Sequence, residues 1–225
     1  MLGEIKVLDK GFVRLVEVMG NDISVVQGAR VSYGAGAKDP ERDKTLLRYL
    51  FVHKHSSPFE MVEFKFHIRC PIFVARQWVR HRMWSYNEYS MRYSPAIEDF
   101  YVPETWRKQD KVNIQGSAGT LSDEENKAFT ERYRRHCEES FKIYNEMIAA
   151  GVAREMARGV IPISTYTEFY GKTDLNNFIK FLNLREDSHA QYEIQVYARA
   201  MKELVRSYVP WTIEIYEETK AKSGV

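Results

Sequence analysis

Two cysteines, Cys70 and Cys137, are all that 225 residues contain, and they lie far apart. That is too few for a disulfide framework, so the expectation is two buried free thiols in a reducing, cytoplasmic setting. No apolar run approaches the length a membrane crossing needs. The opening residues, MLGEIKVLDK, form neither the apolar core of a signal peptide nor an arginine-rich transit segment, so a soluble protein is expected. Charge of one sign is lacking too. Lysine plus arginine number 33 against 31 acidic residues, which argues against a protein that coats nucleic acid non-specifically. Gly34 and Gly36 make the only GxG, with no third glycine to complete a dinucleotide fingerprint, and there is no Walker-type loop and no G-x-S-x-G elbow. His53 and His55 lack a further cluster at ligand spacing, so no metal is expected. Repeats, low-complexity tracts and linkers are also missing. One domain, residues 1–225, long enough for its own core, is the reading.

What is present alternates and winds. Residues 5–19 read as a strand pair or one long bent strand, broken at Asp9, Lys10 and Gly11. Asn21 or Asp22 caps a first helix, and Asp39 with Pro40 starts another that runs to about His53. Residues 55–60 have the composition of a loop. The clearest strand is MVEFKFHIRC, residues 61–70, where Val62, Phe64, Phe66, Ile68 and Cys70 alternate with Glu63, Lys65, His67 and Arg69. Pro71 then opens a helix predicted to reach Trp84, which puts Gln77, Arg80, His81 and Trp84 on one face and turns Ile72, Phe73 and Val79 inward. Residues 104–121 read as a polar surface loop. Ser122 and Glu125 form a capping box before a helix carrying Phe129, Tyr133, Cys137, Phe141, Tyr144 and Ile148. A short helix, the strand STYTEFY and three helices follow, with Asp174 and Asp187 as caps for two of them. The class is α+β, a mainly antiparallel sheet packed by several helices.

Residues 80–94, RHRMWSYNEYSMRYS, hold three arginines, a histidine, three serines and four aromatic rings, with Glu88 the single carboxylate. Arg80, His81 and Arg82 offer forked and planar donors suited to phosphate oxygens. Ser85, Asn87, Ser90 and Arg92 add hydroxyls and charge that can cradle a phosphate, while the rings can line a flat group. An arginine-rich surface making ion pairs is a poor rival, since exposed pairs contribute only about 0–1 kcal/mol. Single-stranded RNA binding is a real one, because arginine and aromatics interleave there too. The residues alone stop at a phosphorylated, planar ligand.

Arg80, His81 and Arg82, then seven residues, then Ser90, resemble the RHR-x7-S signature of the flavin-dependent thymidylate synthases (ThyX). The likeness extends through Arg30 and Ser32, Ser57 to Glu60, Phe73 to Gln77, Arg154 with Arg158, and Asn183 to Gln191, most of the chain. The resemblance implies a ThyX-type fold and a homotetramer with shared active sites. It implies conversion of dUMP to dTMP with carbon from 5,10-methylenetetrahydrofolate, and reducing equivalents from NAD(P)H by way of FAD. By position it implies that Gln77, Arg80, Glu88, Ser90, Met91, Arg92, Arg158 and Arg185 hold dUMP. FAD would meet Ser32, Ser57, Arg80, His81, Arg82, Glu88 and His189. Asp174, Asn176 and Lys180 would lie toward its adenine, Asp174 and Lys180 where relatives carry asparagines. Met91 stands where some relatives have a smaller residue. Arg185 would activate the uracil at its O2/N3 edge, His55 would sit by the flavin ring, and Ser90, with no base in sequence reach, would be a ligand in the catalytic set rather than a nucleophile.

Overall fold

The computed structural model describes residues 2–31 and 39–222, so Ser32 and the Gly34–Gly36 pair lie outside the described residues. Among those described, five strands form one antiparallel sheet. β1 (Gly3–Val7) and β2 (Gly11–Met19) form a hairpin, the strand pair rather than one bent strand, with Leu8 at φ 59° in the turn. Then come β3 (Glu63–Pro71), β4 (Ser85–Glu88) and, far along the chain, β7 (Tyr166–Asp174). Their order across the sheet is β1-β2-β3-β7-β4. Gly11 is obligatory for a packing reason: a Cβ there would lie 2.0 Å from the Tyr197 hydroxyl, which donates to the Arg69 carbonyl at 2.7 Å.

β3 bears out the alternation. Phe64, Phe66, Ile68 and Cys70 are fully buried, and the charged residues between them face the other way. The buried face is covered by α6 (Leu175–Arg185) and α7 (Tyr192–Val205), through Phe178, Phe181, Leu182, Ile194, Tyr197 and Met201. The open face carries ion pairs such as Lys65–Glu17 at 2.8 Å and Lys172–Glu63 at 2.9 Å. Both cysteines are free and buried.

α1 (Asp22–Arg30) settles the choice of cap: Asn21 caps it. Asp22 instead reaches α8 (Pro210–Lys222), accepting from the Trp211 and Thr212 amides at 2.7 and 3.2 Å. α2 (Pro40–Val52) begins at the Asp39 cap as expected. Residues 55–60 are not a plain loop, because Ser57–Met61 winds as a 3-10 helix with Pro58 and Phe59 buried.

The helix after Pro71 is shorter than predicted. α3 spans only Ile72–Trp78, and it buries Val74, Ala75 and Trp78 while Val79 stays exposed. Residues 104–121 are not a loop either. β5 (Arg107–Gln109) pairs with β6 (Ser117–Thr120) as a separate hairpin. α4 (Asp123–Ala149) starts on the capping box and packs Phe141 and Tyr144 into a second, smaller core with Ala96 and Ala157, while Phe129 remains exposed. That core includes α5 (Arg154–Ala157). Asp174 caps α6 through the Asn177 amide, as expected. Asp187 does not cap α7: Gln191 holds the N-cap position without a side-chain hydrogen bond, and Asp187 accepts from the His189 amide instead.

Candidate functional site

The site is built where α3 fails to continue. The Trp78 carbonyl accepts from the His81 amide at 2.9 Å, and the His81 carbonyl accepts from the Trp84 amide at 3.2 Å, so residues 79–84 close as tight turns instead of a helix. The Tyr86 hydroxyl, one strand away, donates to these same carbonyls, at 2.9 Å to Trp78 and 3.1 Å to His81. Trp84 is thereby folded into the core. Its ring stacks on Tyr86 and Phe66 and lies over Gly171, where a Cβ would come within 3.3 Å of it. Arg80 and Arg82 are left projecting outward, and neither has an ion-pair partner among the described residues. Of the four rings, Trp84 and Tyr86 are withdrawn from the surface and only Tyr89 and Tyr93 are exposed, which suits a base-stacking nucleic-acid surface poorly.

Arg185, at the end of α6, meets this turn. Its Nε donates to His81 Nε2 at 2.9 Å and a terminal nitrogen donates to the Gln77 carbonyl at 3.1 Å. An arginine cannot accept, so His81 Nε2 is the unprotonated nitrogen and the proton of the neutral ring sits on Nδ1. Burial, and then the charge of Arg185, pull the His81 pKa down to about 4. Burial also lowers the Arg185 pKa, with the Arg80 charge adding to it. Two guanidinium groups thus crowd a partly buried place, an arrangement that an electron-rich ligand would relieve. Gln77, Arg80, His81, Leu184 and Arg185 line the resulting cleft of 520 Å³.

A second cleft, of 740 Å³, opens on the other flank of α6. Phe51, Phe59, Ile179 and Tyr216 give it apolar walls, and His55, Asn176 and Lys180 border it. His55 stacks on Tyr49 with ring centroids 5.8 Å apart.

The structure therefore brings together Gln77, Arg80, His81 and Arg185 in one cleft and His55, Asn176 and Lys180 at another. Ser90, Met91, Arg92 and Arg158 border neither. Ser90 begins a turn in which its Oγ accepts from the Arg92 amide at 3.3 Å and its carbonyl from those of Tyr93 and Ser94. Arg92 pairs with Glu155 at 3.4 Å, Arg158 is exposed just beyond, and the Met91 side chain packs on the second core. Glu88 accepts from Thr167 at 2.8 Å. Asp174 spends both carboxylate oxygens on Asn177, and Asn176 donates to Glu60 at 3.2 Å. Ser57 is exposed, and His189 projects from its contact with Asp187 at 2.9 Å.

Sequence reasoning missed a polar network behind Gln77. Its amide nitrogen donates to Gln191, which donates to the buried Glu193, held in turn by Arg107 and Tyr101. A signal was available: Glu193, Tyr197 and Met201 recur at helical spacing on the buried stripe of α7, and a carboxylate there demands partners.

The family model for thymidylate synthase complementing protein matches residues 14–211. A flavin-dependent thymidylate synthase of Thermus thermophilus is 54% identical over 214 residues, covering 95% of this chain and 78% of that protein. One from Kosmotoga olearia is 52% identical over 213 residues, covering 95% and 93%. Among solved structures, the UMP/dUMP methylase PolB from Streptomyces cacaoi, bound with 5-Br dUMP, superposes with a TM-score of 0.85 at 32% identity. That match covers 95% of this chain and 97% of that one.

Proposed function

This chain belongs to the flavin-dependent thymidylate synthase family, and from that premise we propose that it methylates dUMP to dTMP as a single catalytic domain over residues 1–225. The carbon donor is 5,10-methylenetetrahydrofolate, the flavin is FAD and the reductant is NAD(P)H. The observation that carries the reading is the Arg185–His81–Gln77 cleft with Arg80 at its mouth, formed by the very turn that bears the RHR-x7-S pattern.

The residues fit a flavin dinucleotide. Arg80, at the Arg185 cleft, and Arg82 have no ion-pair partner among the described residues, and a largely apolar cleft of 740 Å³ on the other flank of α6 lies in the size range of cofactor sites. Ser57, Arg82, Glu88, Asn176, Lys180 and His189 are the further contacts we assign to it, with Ser32. Asp174 can contribute only backbone, because its carboxylate is occupied by Asn177. When bound there, the flavin would supply the two-electron redox chemistry between NAD(P)H and the nucleotide.

The protein's own part is positioning and charge. Arg185, anchored through Nε and one terminal nitrogen, has no hydrogen bond on its other terminal nitrogen among the described residues. That nitrogen can donate to a uracil carbonyl at the O2/N3 edge and draw electron density from the ring, which makes the ring easier to reduce. His81, neutral and accepting, fixes that guanidinium. Among the described residues no base is hydrogen-bonded to Ser90, and His81 Nε2 is already engaged, so Ser90 serves with Met91 and Arg92 as a phosphate ligand. His55 borders the flavin ring.

Ser90, Arg92 and Arg158 lie apart from the Arg185 cleft, which supports a homotetramer whose sites draw on more than one subunit. The test is an anaerobic reduction of the FAD-loaded protein with NADPH, followed by addition of dUMP and methylenetetrahydrofolate. Flavin reoxidation with dTMP formed only when both are present is expected. Reoxidation without dTMP would sink the assignment.

A further inference from the structure

We propose that Glu193 and Gln191 are positioning residues that polarise Gln77, so that its side-chain carbonyl faces the Arg185 cleft and selects a pyrimidine bearing an imide N–H, uracil over cytosine. This rests on the nucleotide reading above.

The argument runs outward from the buried end. Glu193 is 2% exposed in the first turn of α7. It takes two bonds from Arg107, at 2.8 and 2.9 Å, and one from the Tyr101 hydroxyl at 3.1 Å. A carboxylate paired with a guanidinium has no proton to give and only accepts. Gln191 therefore has to turn its amino group toward Glu193, and does so at 2.8 Å. Its carbonyl then faces Gln77, which can answer only with its own amino group, at 2.5 Å. An amide whose nitrogen is committed has its oxygen fixed on the opposite side. Gln77 Oε1 has no hydrogen-bond partner among the described residues, and Gln77 lines the cleft.

The other polar side chains lining that cleft are donors: Arg76, Arg80, Arg185, and the Nδ1–H of a His81 whose Nε2 is taken. One acceptor stands among donors. The Watson–Crick edge of uracil presents the complement, a carbonyl, an N–H and a second carbonyl. Cytosine offers a lone pair at N3 and an amino group at C4, so its N3 would face the Gln77 carbonyl and its amino group would face cations. A site built to bond a particular N–H rejects analogues lacking it strongly, because its own polar group is left unpaired. Without the relay the Gln77 amide can rotate by half a turn and offer either face.

The experiment compares binding of dUMP and dCMP by calorimetry in the FAD-loaded enzyme, with dTMP turnover followed in parallel. Gln191→Leu cuts the relay at an exposed position and leaves the Arg107–Glu193–Tyr101 cluster whole. It is expected to lower the dUMP-over-dCMP preference by about tenfold or more, with flavin content and melting temperature unchanged. Glu193→Gln, which can present either amide face, should do the same, whereas Tyr101→Phe should keep the preference because Arg107 still holds the carboxylate. An unchanged preference in folded Gln191→Leu overturns the proposal, and that variant decides the matter even where Glu193→Gln fails to fold. A wild-type protein that prefers dUMP yet makes no dTMP defeats the synthase reading while leaving the relay to be judged on the same binding ratio. A wild-type protein that binds neither nucleotide overturns both.

Discussion

The two clefts flanking α6 differ in how firmly their charges are held. On one side Arg185 is half-buried and tied by two hydrogen bonds, His81 is neutral because its surroundings exclude solvent, and Gln77 is oriented from behind. On the other, His55 and Lys180 are exposed, and the cleft owes its shape to apolar walls. Preorganised donors in a partly dry site do far more for a developing charge than mobile ones in water, since they need no reorganisation as the charge appears. On the proposed function this is a division of labour: the first cleft takes the chemistry and the second holds a large flat group.

The strongest way to break this contrast is Arg185→Met. Loss of one preorganised charge donor should lower kcat for dTMP formation by about a hundredfold to a thousandfold, with flavin still bound. Steady-state kinetics beside a flavin absorbance spectrum would check it. A loss confined to KM would mean that Arg185 only holds the nucleotide.

How much of this was legible beforehand follows from where each constraint comes from. β3 could be read from its own residues, because Phe64, Phe66, Ile68 and Cys70 obey a period set by the pleat itself. The end of α3 could not. Local propensity lets the helix run on, and what stops it is tertiary: Tyr86 claims two of the carbonyls and Trp84 finds a seat over Gly171. The 107–120 hairpin was likewise invisible, for its anchor, Arg107 on Glu193, joins residues 86 positions apart. Of the candidate residues, Arg80, His81 and Ser90 stood out by their pattern, though Ser90 borders neither cleft. The meeting of Arg185 with His81 spans 104 residues and no local pattern announces it.

A pH titration sharpens the contrast at intermediate scale. A free imidazole titrates near 6.5, whereas in the folded site the His81 pKa is lowered to about 4, burial being the larger cause and Arg185 the second. Between those values the unfolded chain binds a proton that the folded site refuses, so stability is full above pH 6.5 and declines as pH falls through the window to about 4. The His81 ring signal followed by NMR should move near pH 4. In Arg185→Met its midpoint should rise only part of the way to 6.5, since burial remains; a complete return would make Arg185 the main cause.

The smallest effect belongs to Lys180→Met. Lys180 is exposed, and among the described residues no hydrogen bond or ion pair holds its ammonium group. A solvated, mobile charge at a cleft rim is worth about 0–1 kcal/mol, so FAD affinity should weaken by no more than about fivefold, with kcat unchanged. Flavin titration of the apo-protein by fluorescence quenching would measure it, and raising the salt should erase the difference, because screening removes a rim charge and barely touches a buried one. If Lys180→Met instead cost as much as Arg185→Met, and did so at high salt, the second cleft could not be an open rim in the working enzyme. It would have to be closed over by a neighbouring subunit, and the contrast between the clefts would then be a property of the single chain that assembly removes.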